Sequence, residues 1–262
     1  MSARRDAILK EMGLAPIWRK REGTGGTANT SVPPVPPGGS VVAADAIEAS
    51  ETIPSTPSVA REARIARMDW NALRAAVGEC AACPLHKSRT QAVFGVGDEN
   101  ADWLLVGEAP GAEEDRQGEP FVGQAGQLLD AMLASIELAR GRKVYIANVL
   151  KCRPPGNRNP EPAEVERCAP HLARQIALIR PKLILAMGRF AAQTLLGTDA
   201  SIASLRGKLH SYQGVPLIVT YHPAYLLRTP ADKAKAWQDL LFAVDTMAGT
   251  QAGLQPAGSA PT

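Results

Sequence analysis

Between residues 102 and 247, short apolar runs alternate with stretches of helical periodicity, and this alternation constrains the fold more than any other feature of the sequence. The apolar runs lie at about 102–107, 143–150, 182–187 and 216–221, and the helical stretches lie at about 124–139, 162–179, 189–196 and 231–247. Runs rich in Val, Ile and Leu that are separated by helices are typical of parallel strands buried on both faces. We therefore predict an α/β fold with three α/β/α layers and a central, mainly parallel, four-stranded sheet.

The large apolar side chains are distributed unevenly, and this predicts one folded domain with extensions. Of the 262 residues 45% are hydrophobic, which is enough for one sizeable core, but the first third of the chain contributes few of them. We expect a short amphipathic helix at 1–20, a disordered Pro/Gly-rich linker at 21–65, the folded domain at 66–248 and a disordered tail at 249–262. Asp69 would cap the first helix of the folded domain.

Charge and hydropathy narrow the classes of partner. The formal net charge of +3 gives weak support for a polyanionic partner, because a near-neutral total can still hide a basic face. No run of 18 or more apolar residues occurs, and the N-terminus lacks a continuous apolar signal core. We therefore expect a cytoplasmic protein without membrane contact, and we expect a monomer. In a reducing compartment, we expect its four cysteines to be metal ligands or redox groups rather than disulfides.

Three loops follow predicted strands, at the edge of the sheet where ligands bind in such folds. The first reads Gly-Glu-Ala-Pro-Gly-Ala-Glu-Glu-Asp over residues 107–115, and Phe121 follows shortly after it. Its glycines let backbone N–H groups approach a ligand closely, and its carboxylates are concentrated as in an active-site loop. A solvated acidic turn is the alternative.

The second loop, at 148–160, combines an amide with several cations in a proline-rich segment. Asn148 stands at the end of a strand, and Lys151, Arg153 and Arg158 could form a rim that binds phosphates. An amide presents one acceptor and one donor, which can match the N3–H and O4 of uracil, whereas cytosine offers the reverse pattern. The alternative is an asparagine that bonds only its own turn.

The third loop begins with His222, directly after the last strand, and Pro223 restricts its backbone. A histidine held in this way suits a fixed donor to an anion that develops during a reaction. A surface histidine or a satisfied core histidine is the alternative.

All four cysteines fall in two neighbourhoods of the folded domain. Cys80 and Cys83 form a C-x-x-C in a loop, Cys152 follows a strand, and Cys168 lies on the inward face of a helix. Four converging thiolates suit either a tetrahedral zinc ion or an iron–sulfur cluster, and their spacing does not decide between the two. Buried thiols without a ligand are the third interpretation.

Together these motifs resemble the uracil-DNA glycosylase superfamily, and within it family 4 (type a), the bacterial and archaeal type that carries a four-iron, four-sulfur cluster. The resemblance runs from about Met68 to Val244. It rests on residues 107–111, 114–115, 120–126, 148–158 and 222–228 together with the cysteine set. It implies a monofunctional enzyme that flips uracil out of single- or double-stranded DNA and hydrolyses its N-glycosidic bond, leaving an abasic site. It also implies a [4Fe-4S] cluster, with zinc as the lesser alternative, held by Cys80, Cys83, Cys152 and Cys168.

The resemblance further implies a division of roles. Phe121 would stack on the flipped base, Asn148 would read its edge, and His222 would donate to a uracil oxygen. Well-known relatives place an aspartate where this chain has Ala109, so the carboxylate that orients water must come from elsewhere, with Glu114 as the first choice and Glu108 as the second. The predicted substrate-binding residues are Glu108, Ala109, Pro110, Gly111, Phe121, Asn148 and His222. The predicted DNA contacts are Lys151, Arg153, Arg158 and Arg228.

Two functions from other classes compete with this one. The first is a non-catalytic protein that traps uracil-DNA; a related subgroup bonds to its substrate through a histidine in an inserted basic loop, and no histidine lies between Lys151 and Cys168. The second is a replication-associated interaction module, in which residues 1–60 tether the domain to a replication or repair protein.

Overall fold

The computed structural model of the protein describes residues 57–252. The predicted helix at 1–20, most of the predicted linker and most of the tail lie outside the described residues, as does most of the segment expected to recruit a partner. The strands are β1 (Val96–Gly97), β2 (Trp103–Gly107), β3 (Val144–Asn148), β4 (Leu183–Met187), β5 (His210–Tyr212) and β6 (Val215–Thr220). The α-helices are α1 (Pro57–Ile65), α2 (Trp70–Gly78), α3 (Ala112–Gln117), α4 (Gln124–Ser135), α5 (Pro162–Ile179), α6 (Arg189–Leu196), α7 (Ile202–Leu205), α8 (Pro223–Arg228) and α9 (Lys233–Ala252).

One mixed sheet, in the order β1-β3-β2-β4-β6-β5, forms the middle layer. The four inner strands are parallel to one another, which confirms the predicted α/β class and the predicted parallel core. The predicted count of four strands is wrong, because β1 and β5 add an antiparallel strand at each edge. These edge strands have two and three residues and are partly exposed, so neither contains an apolar run that sequence reasoning could detect.

The inner strands are buried on both faces, and their side chains divide between two apolar layers. On β2, Trp103 and Leu105 pack with α4 and α9 on one face, whereas Leu104 and Val106 pack with α5 and α6 on the other. A strand enclosed in this way is apolar along most of its length, which explains why continuous apolar runs predict the four inner strands.

The boundaries of the folded region differ from the prediction. The predicted linker extends to residue 65, but Pro57–Ile65 is helical and Ile65 is 2% exposed. Arg61 fastens this helix to α5 by donating to the backbone carbonyl of Arg167 at 3.0 Å. The last helix continues to Ala252, beyond the predicted start of the tail. None of the described helices is both long and apolar enough to cross a membrane.

A buried ion pair fixes the C-terminal helix behind the third loop. Arg206 donates to both carboxylate oxygens of Asp239, at 2.7 and 2.9 Å, and its guanidinium lies 4.4 Å from the ring centre of Tyr221. Asp239 is 2% exposed, so the pair is shielded from water. It therefore anchors α9 to the segment that carries His222.

Replacing Asp239 with alanine is expected to lower the free energy of unfolding by about 3–5 kcal/mol, because it leaves Arg206 as a buried charge without its partner. Urea denaturation followed by circular dichroism measures this change. Glu99→Ala is the matched control, since it breaks an exposed pair with Arg74 and should cost less than about 1 kcal/mol. Equal losses in the two variants would contradict the role given to the buried pair.

Candidate active site

The carboxyl ends of β2, β3, β4 and β6 open into one cavity of about 700 Å³. All three loops singled out in the sequence contribute to its wall. The predicted site residues in the wall are Glu108, Ala109, Pro110, Gly111, Glu114, Phe121, Asn148, Arg158, His222 and Arg228. Sequence reasoning missed a fourth segment, at the end of β4, which adds Gly188 and Arg189. The rule that ligands bind at the carboxyl ends of parallel strands also applies to β4 and could have found it.

Asn148 ends β3 at the back of this cavity. It is 2% exposed, and its Oδ1 is buried without a hydrogen-bond partner among the described residues. Gly107 pairs with Asn148 across the sheet, and a Cβ at Gly107 would collide with this oxygen and approach the ring of Phe121 to 2.7 Å. The glycine therefore provides the space in which the amide and the ring stand side by side.

Phe121 is held in an unusual backbone conformation. Its φ is +57°, a region that non-glycine residues rarely adopt. Arg140 stabilises it by donating to the carbonyls of Phe121 at 2.5 Å and Pro120 at 2.9 Å. A side chain at Gly126 would collide with the same Phe121 carbonyl. Nothing in the local sequence around Arg140 predicts this role, because the contact spans 19 residues.

His222 caps α8 with its side chain and stacks on Phe121. Its Nδ1 accepts a hydrogen bond from the backbone N–H of Ala224 at 3.1 Å, so the ring proton of the neutral form is on Nε2. The two rings have centres 5.3 Å apart and planes inclined by 27°. Burial, reinforced by the charge of Arg228, lowers the pKa of His222 to about 4. The imidazole is therefore neutral near pH 7 and can donate through Nε2–H.

The two carboxylates proposed for catalysis have different surroundings. Glu114 accepts backbone hydrogen bonds from Gly111 at 3.0 Å and from Val122 at 3.1 Å, so it ties the first loop to the segment that carries Phe121. Glu108 lines the cavity as Glu114 does, but no backbone N–H of the described loops donates to its carboxylate. Burial raises the pKa of Glu108, and the opposing charge of Arg189 lowers it by a smaller amount. Glu108 is thus the carboxylate better placed to meet a ligand.

The predicted DNA-contacting cations do not form one rim. Lys151 is 1% exposed, so the prediction that it contacts DNA is wrong. Its side chain turns inward, where Nζ donates to the backbone carbonyl of Asn148 at 2.9 Å and to Oε1 of Gln175 at 2.6 Å. Burial lowers the pKa of Lys151 to about 8. The lysine belongs to the interior behind the cavity.

The predicted arginines are more accessible to DNA than Lys151 is. Arg158 lines the cavity but is engaged by Glu164 in a two-pronged ion pair at 2.9 and 2.5 Å, which offsets much of its charge. Arg153 is half-buried outside the cavity wall and donates to Asn157 Oδ1 at 2.8 Å. Arg228 and the unpredicted Arg189 also lie in the wall, so with Arg158 they are the described cations that line the cavity.

All four cysteines are free thiols and line one small cavity behind the loop at 148–160. Sulfurs of three of them accept hydrogen bonds: Cys168 from the backbone N–H of Lys151 at 3.3 Å, Cys152 from the Arg89 guanidinium at 3.0 Å, and Cys80 from the Arg61 guanidinium at 3.8 Å. Burial raises the pKa of Cys168 to about 12. Thiols that are buried together and surrounded by donors are suited to bind an electron-poor centre as thiolates.

The spacing of these thiols bears on which centre they could hold. Four sulfurs around one zinc ion, each about 2.3 Å from the metal, would stand roughly 3.8 Å apart. Within residues 57–252, no three side chains of His, Cys, Asp or Glu are close enough together to hold a single metal ion. In a four-iron cluster each cysteine binds a different iron, so the sulfurs stand farther apart. The four thiols therefore form a donor set that suits an iron–sulfur cluster or zinc, and in the described part of the chain they are not assembled around a single ion.

Comparison with known proteins matches residues 94–241 to the family described as "Uracil DNA glycosylase superfamily". The chain is 50% identical over 159 residues to a type-4 uracil-DNA glycosylase of Archaeoglobus fulgidus, covering 58% of this chain and 79% of that one. It is 45% identical over 183 residues to a type-4 uracil-DNA glycosylase of Pyrobaculum aerophilum, covering 66% and 92%. A type-5 uracil-DNA glycosylase of the same organism is 33% identical over 146 residues, covering 50% and 64%.

Proposed function

Because the chain belongs to the uracil-DNA glycosylase superfamily and to its type-4 family, we infer that it excises uracil from DNA by hydrolysing the N-glycosidic bond. The observation that carries this inference is the buried Oδ1 of Asn148, which has no hydrogen-bond partner within residues 57–252. A buried acceptor without a partner costs about 1–3 kcal/mol, and a ligand N–H that enters the cavity relieves that cost. The N3–H of uracil supplies such a donor, whereas N3 of cytosine is an acceptor.

Uracil can reach Asn148 only after it leaves the DNA stack. Flipping the nucleotide costs a few kcal/mol, and stacking of the base on Phe121 would return roughly 1–3 kcal/mol of this. Backbone groups at Glu108, Ala109 and Gly111 would hold the pyrimidine, since these residues also line the cavity. Exclusion of cytosine by about 10⁴–10⁵ is within the range that a site built on buried hydrogen bonds can reach.

Bond cleavage places negative charge on the uracil and positive charge on the sugar. Neutral His222, fixed by Ala224, would donate through Nε2–H to the uracil oxygen on which charge develops. Glu108 would act as a carboxylate that orients the attacking water and stabilises the cationic sugar. We assign Glu114 a positioning role, because its oxygens are engaged by the backbone of two loops. Arg189 and Arg228 would contact the DNA backbone at the mouth of the cavity.

The proposed cluster would be held by Cys80, Cys83, Cys152 and Cys168. It would supply a covalent link between the segments before β1 and after β3, and so support the loop that follows Asn148. Protein purified without oxygen should be brown, contain iron and absorb at about 400 nm, as expected of iron–sulfur centres. Colourless protein with stoichiometric zinc would refute the cluster but not the glycosylase assignment.

The function itself is tested on short single- and double-stranded oligonucleotides that contain one uracil, xanthine, cytosine or thymine. Alkaline cleavage followed by gel electrophoresis reports the abasic sites. We expect cleavage at uracil and none at cytosine. Binding of uracil-DNA without release of the base would instead support the non-catalytic function.

The pH dependence of excision distinguishes the role of Glu108 from that of Glu114. Glu108 acts when ionised and its pKa is raised, so kcat/KM should fall as the pH drops through that raised pKa. His222 acts when neutral and has a pKa of about 4, so no loss is expected as the pH rises through the usual histidine range. His222 should therefore give no falling limb between about pH 7 and pH 9, whereas an imidazolium donor would give one there.

Glu108→Gln should lower kcat by about 10²–10³ and remove the acidic limb, with little effect on stability. Glu114→Gln should keep the acidic limb and mainly lower the thermal midpoint, because its amide N–H₂ would face the backbone N–H groups that the carboxylate now accepts. Pre-steady-state excision assays from about pH 5 to pH 9, above the range in which His222 becomes protonated, measure both effects when they are paired with thermal melts. Loss of the acidic limb in the Glu114 variant alone would reverse the two assignments.

A further inference from the structure

Lys151 is a cation enclosed in the protein, and neither of its two hydrogen-bond acceptors is a carboxylate. Its side chain is among the largest that are fully buried, and those acceptors, the Asn148 carbonyl and Gln175 Oε1, are both neutral. The thiols of Cys152 and Cys168 line the same small cavity as Lys151, and thiols become anionic when they bind a metal centre as thiolates. A buried ammonium without an anion costs several kcal/mol, so the fold must supply negative charge close by.

The cavity lined by the four cysteines supplies that charge once it holds a cluster. Lys151 itself lines this cavity. A [4Fe-4S] centre with four thiolate ligands is a net anion, and its charge becomes more negative by one on reduction. The ammonium of Lys151 would therefore stabilise the reduced cluster more than the oxidised one, by the ordinary attraction of opposite charges in a medium of low dielectric constant.

The same residue also connects the cysteines with the base-reading amide. Its backbone N–H donates to Cys168 at 3.3 Å, while its side chain donates to the carbonyl of Asn148 at 2.9 Å. Gln175 Oε1 accepts a second hydrogen bond from the ammonium at 2.6 Å, and Gln175 Nε2 donates to the Phe94 carbonyl at 2.9 Å. The position of Asn148 thus depends on a side chain that stands beside the cluster ligands.

We propose that Lys151 is the buried counter-ion of the cluster and, through the Asn148 carbonyl, a positioning residue for uracil recognition. The proposal rests on the proposed function, since it requires both the cluster and the reading role of Asn148. It separates two effects of one side chain: its charge acts on the cluster, and its hydrogen bond acts on the substrate site.

The charge is tested by measuring the reduction potential of the cluster, by voltammetry on a DNA-modified electrode, in three variants of the full-length holoenzyme. Lys151→Met removes the charge and keeps the length of the side chain, and Lys151→Arg keeps the charge. Lys182→Met is the matched control, because Lys182 is a half-exposed lysine that pairs with Asp102 at the opposite end of the sheet. We expect a more negative potential in Lys151→Met and the wild-type potential in the other two.

The hydrogen bond is tested by excision kinetics on the same samples. Lys151→Met should lower kcat/KM for uracil by roughly tenfold to a hundredfold, because a small displacement of a positioned group has effects of this size. Lys151→Arg should recover at least part of this loss, and Lys182→Met should match the wild type. Iron content per protein, measured in parallel, shows whether each sample carries the cluster.

Unchanged potential and unchanged kinetics in Lys151→Met would overturn the proposal, while the cluster and the glycosylase function would stand. If Lys151→Met purifies without iron, Lys151→Arg becomes the deciding variant: retained iron supports a requirement for charge, and equal loss of iron overturns it. Wild-type protein that contains no iron, or that releases no uracil, would instead overturn the proposed function on which the inference rests.

Discussion

Replacing His222 with alanine is expected to slow uracil excision by about 10²–10³ while binding of uracil-DNA is largely retained. The imidazole is preorganised, since Ala224 fixes its tautomer and Phe121 stacks on its ring. The imidazole stabilises the neutral base only weakly in the ground state. Its hydrogen bond gains strength only as negative charge develops on the uracil oxygen, so its loss should appear in the rate of the chemical step.

Single-turnover excision at saturating enzyme isolates that step, and fluorescence anisotropy with a uracil oligonucleotide measures binding. His210→Ala is the matched control, because His210 lies on the edge strand β5 and bonds the Leu205 carbonyl at 2.8 Å, outside the cavity wall. It should excise uracil at the wild-type rate. Full activity in His222→Ala would remove the electrophilic role, and a loss confined to binding would make His222 a contact for the base only.

The parts of the fold that sequence predicts are those in which one environment acts on many consecutive residues. Residues 103–106 and 183–187 are buried on both faces, so each position is apolar and the strands stand out. The edge strands β1 and β5 are too short to produce such a signal, and α1 begins inside a segment whose composition is that of a linker. The helix at Pro57–Ile65 is stabilised by contacts with α5, which lies more than a hundred residues away.

In the candidate site, too, some residues can be predicted from the sequence and others cannot. Glu108, Asn148, Phe121 and His222 can be predicted together because three loops follow parallel strands, and the cavity brings them into one wall. The prediction for Lys151 fails, because a lysine beside arginines in a proline-rich loop is typical of a phosphate-binding rim. Its true environment is decided by Gln175, a residue of another helix. Local sequence cannot predict which cation of a loop turns inward when the partner that receives it is 24 residues away.

Replacing Gly107 with alanine is expected to reduce uracil excision by more than about 10³ with the fold retained, and it tests the geometry of the pocket without removing any functional group. The added Cβ would collide with Asn148 Oδ1 and lie 2.7 Å from the Phe121 ring. Neither the strand nor the amide can move away easily, because Gly107 pairs with Asn148 in the middle of the sheet and Phe121 is clamped by Arg140. The methyl group would therefore occupy the space that the base must enter.

Gly78→Ala is the control for this substitution. Gly78 ends α2 with an ordinary helical φ and open space around its Cβ, so the change should leave excision unchanged and alter stability by less than about 1 kcal/mol. Gly107→Ala should lose about 1–3 kcal/mol of unfolding free energy, as overpacked sites do, and keep a cooperative transition.

Loss of activity then reflects a closed pocket, since a folded protein with His222 and Glu108 in place retains every other group of the site. Excision at the wild-type rate by Gly107→Ala would show that uracil does not enter between Asn148 and Phe121, and the assignment of Asn148 as the reader of the base would fall with it.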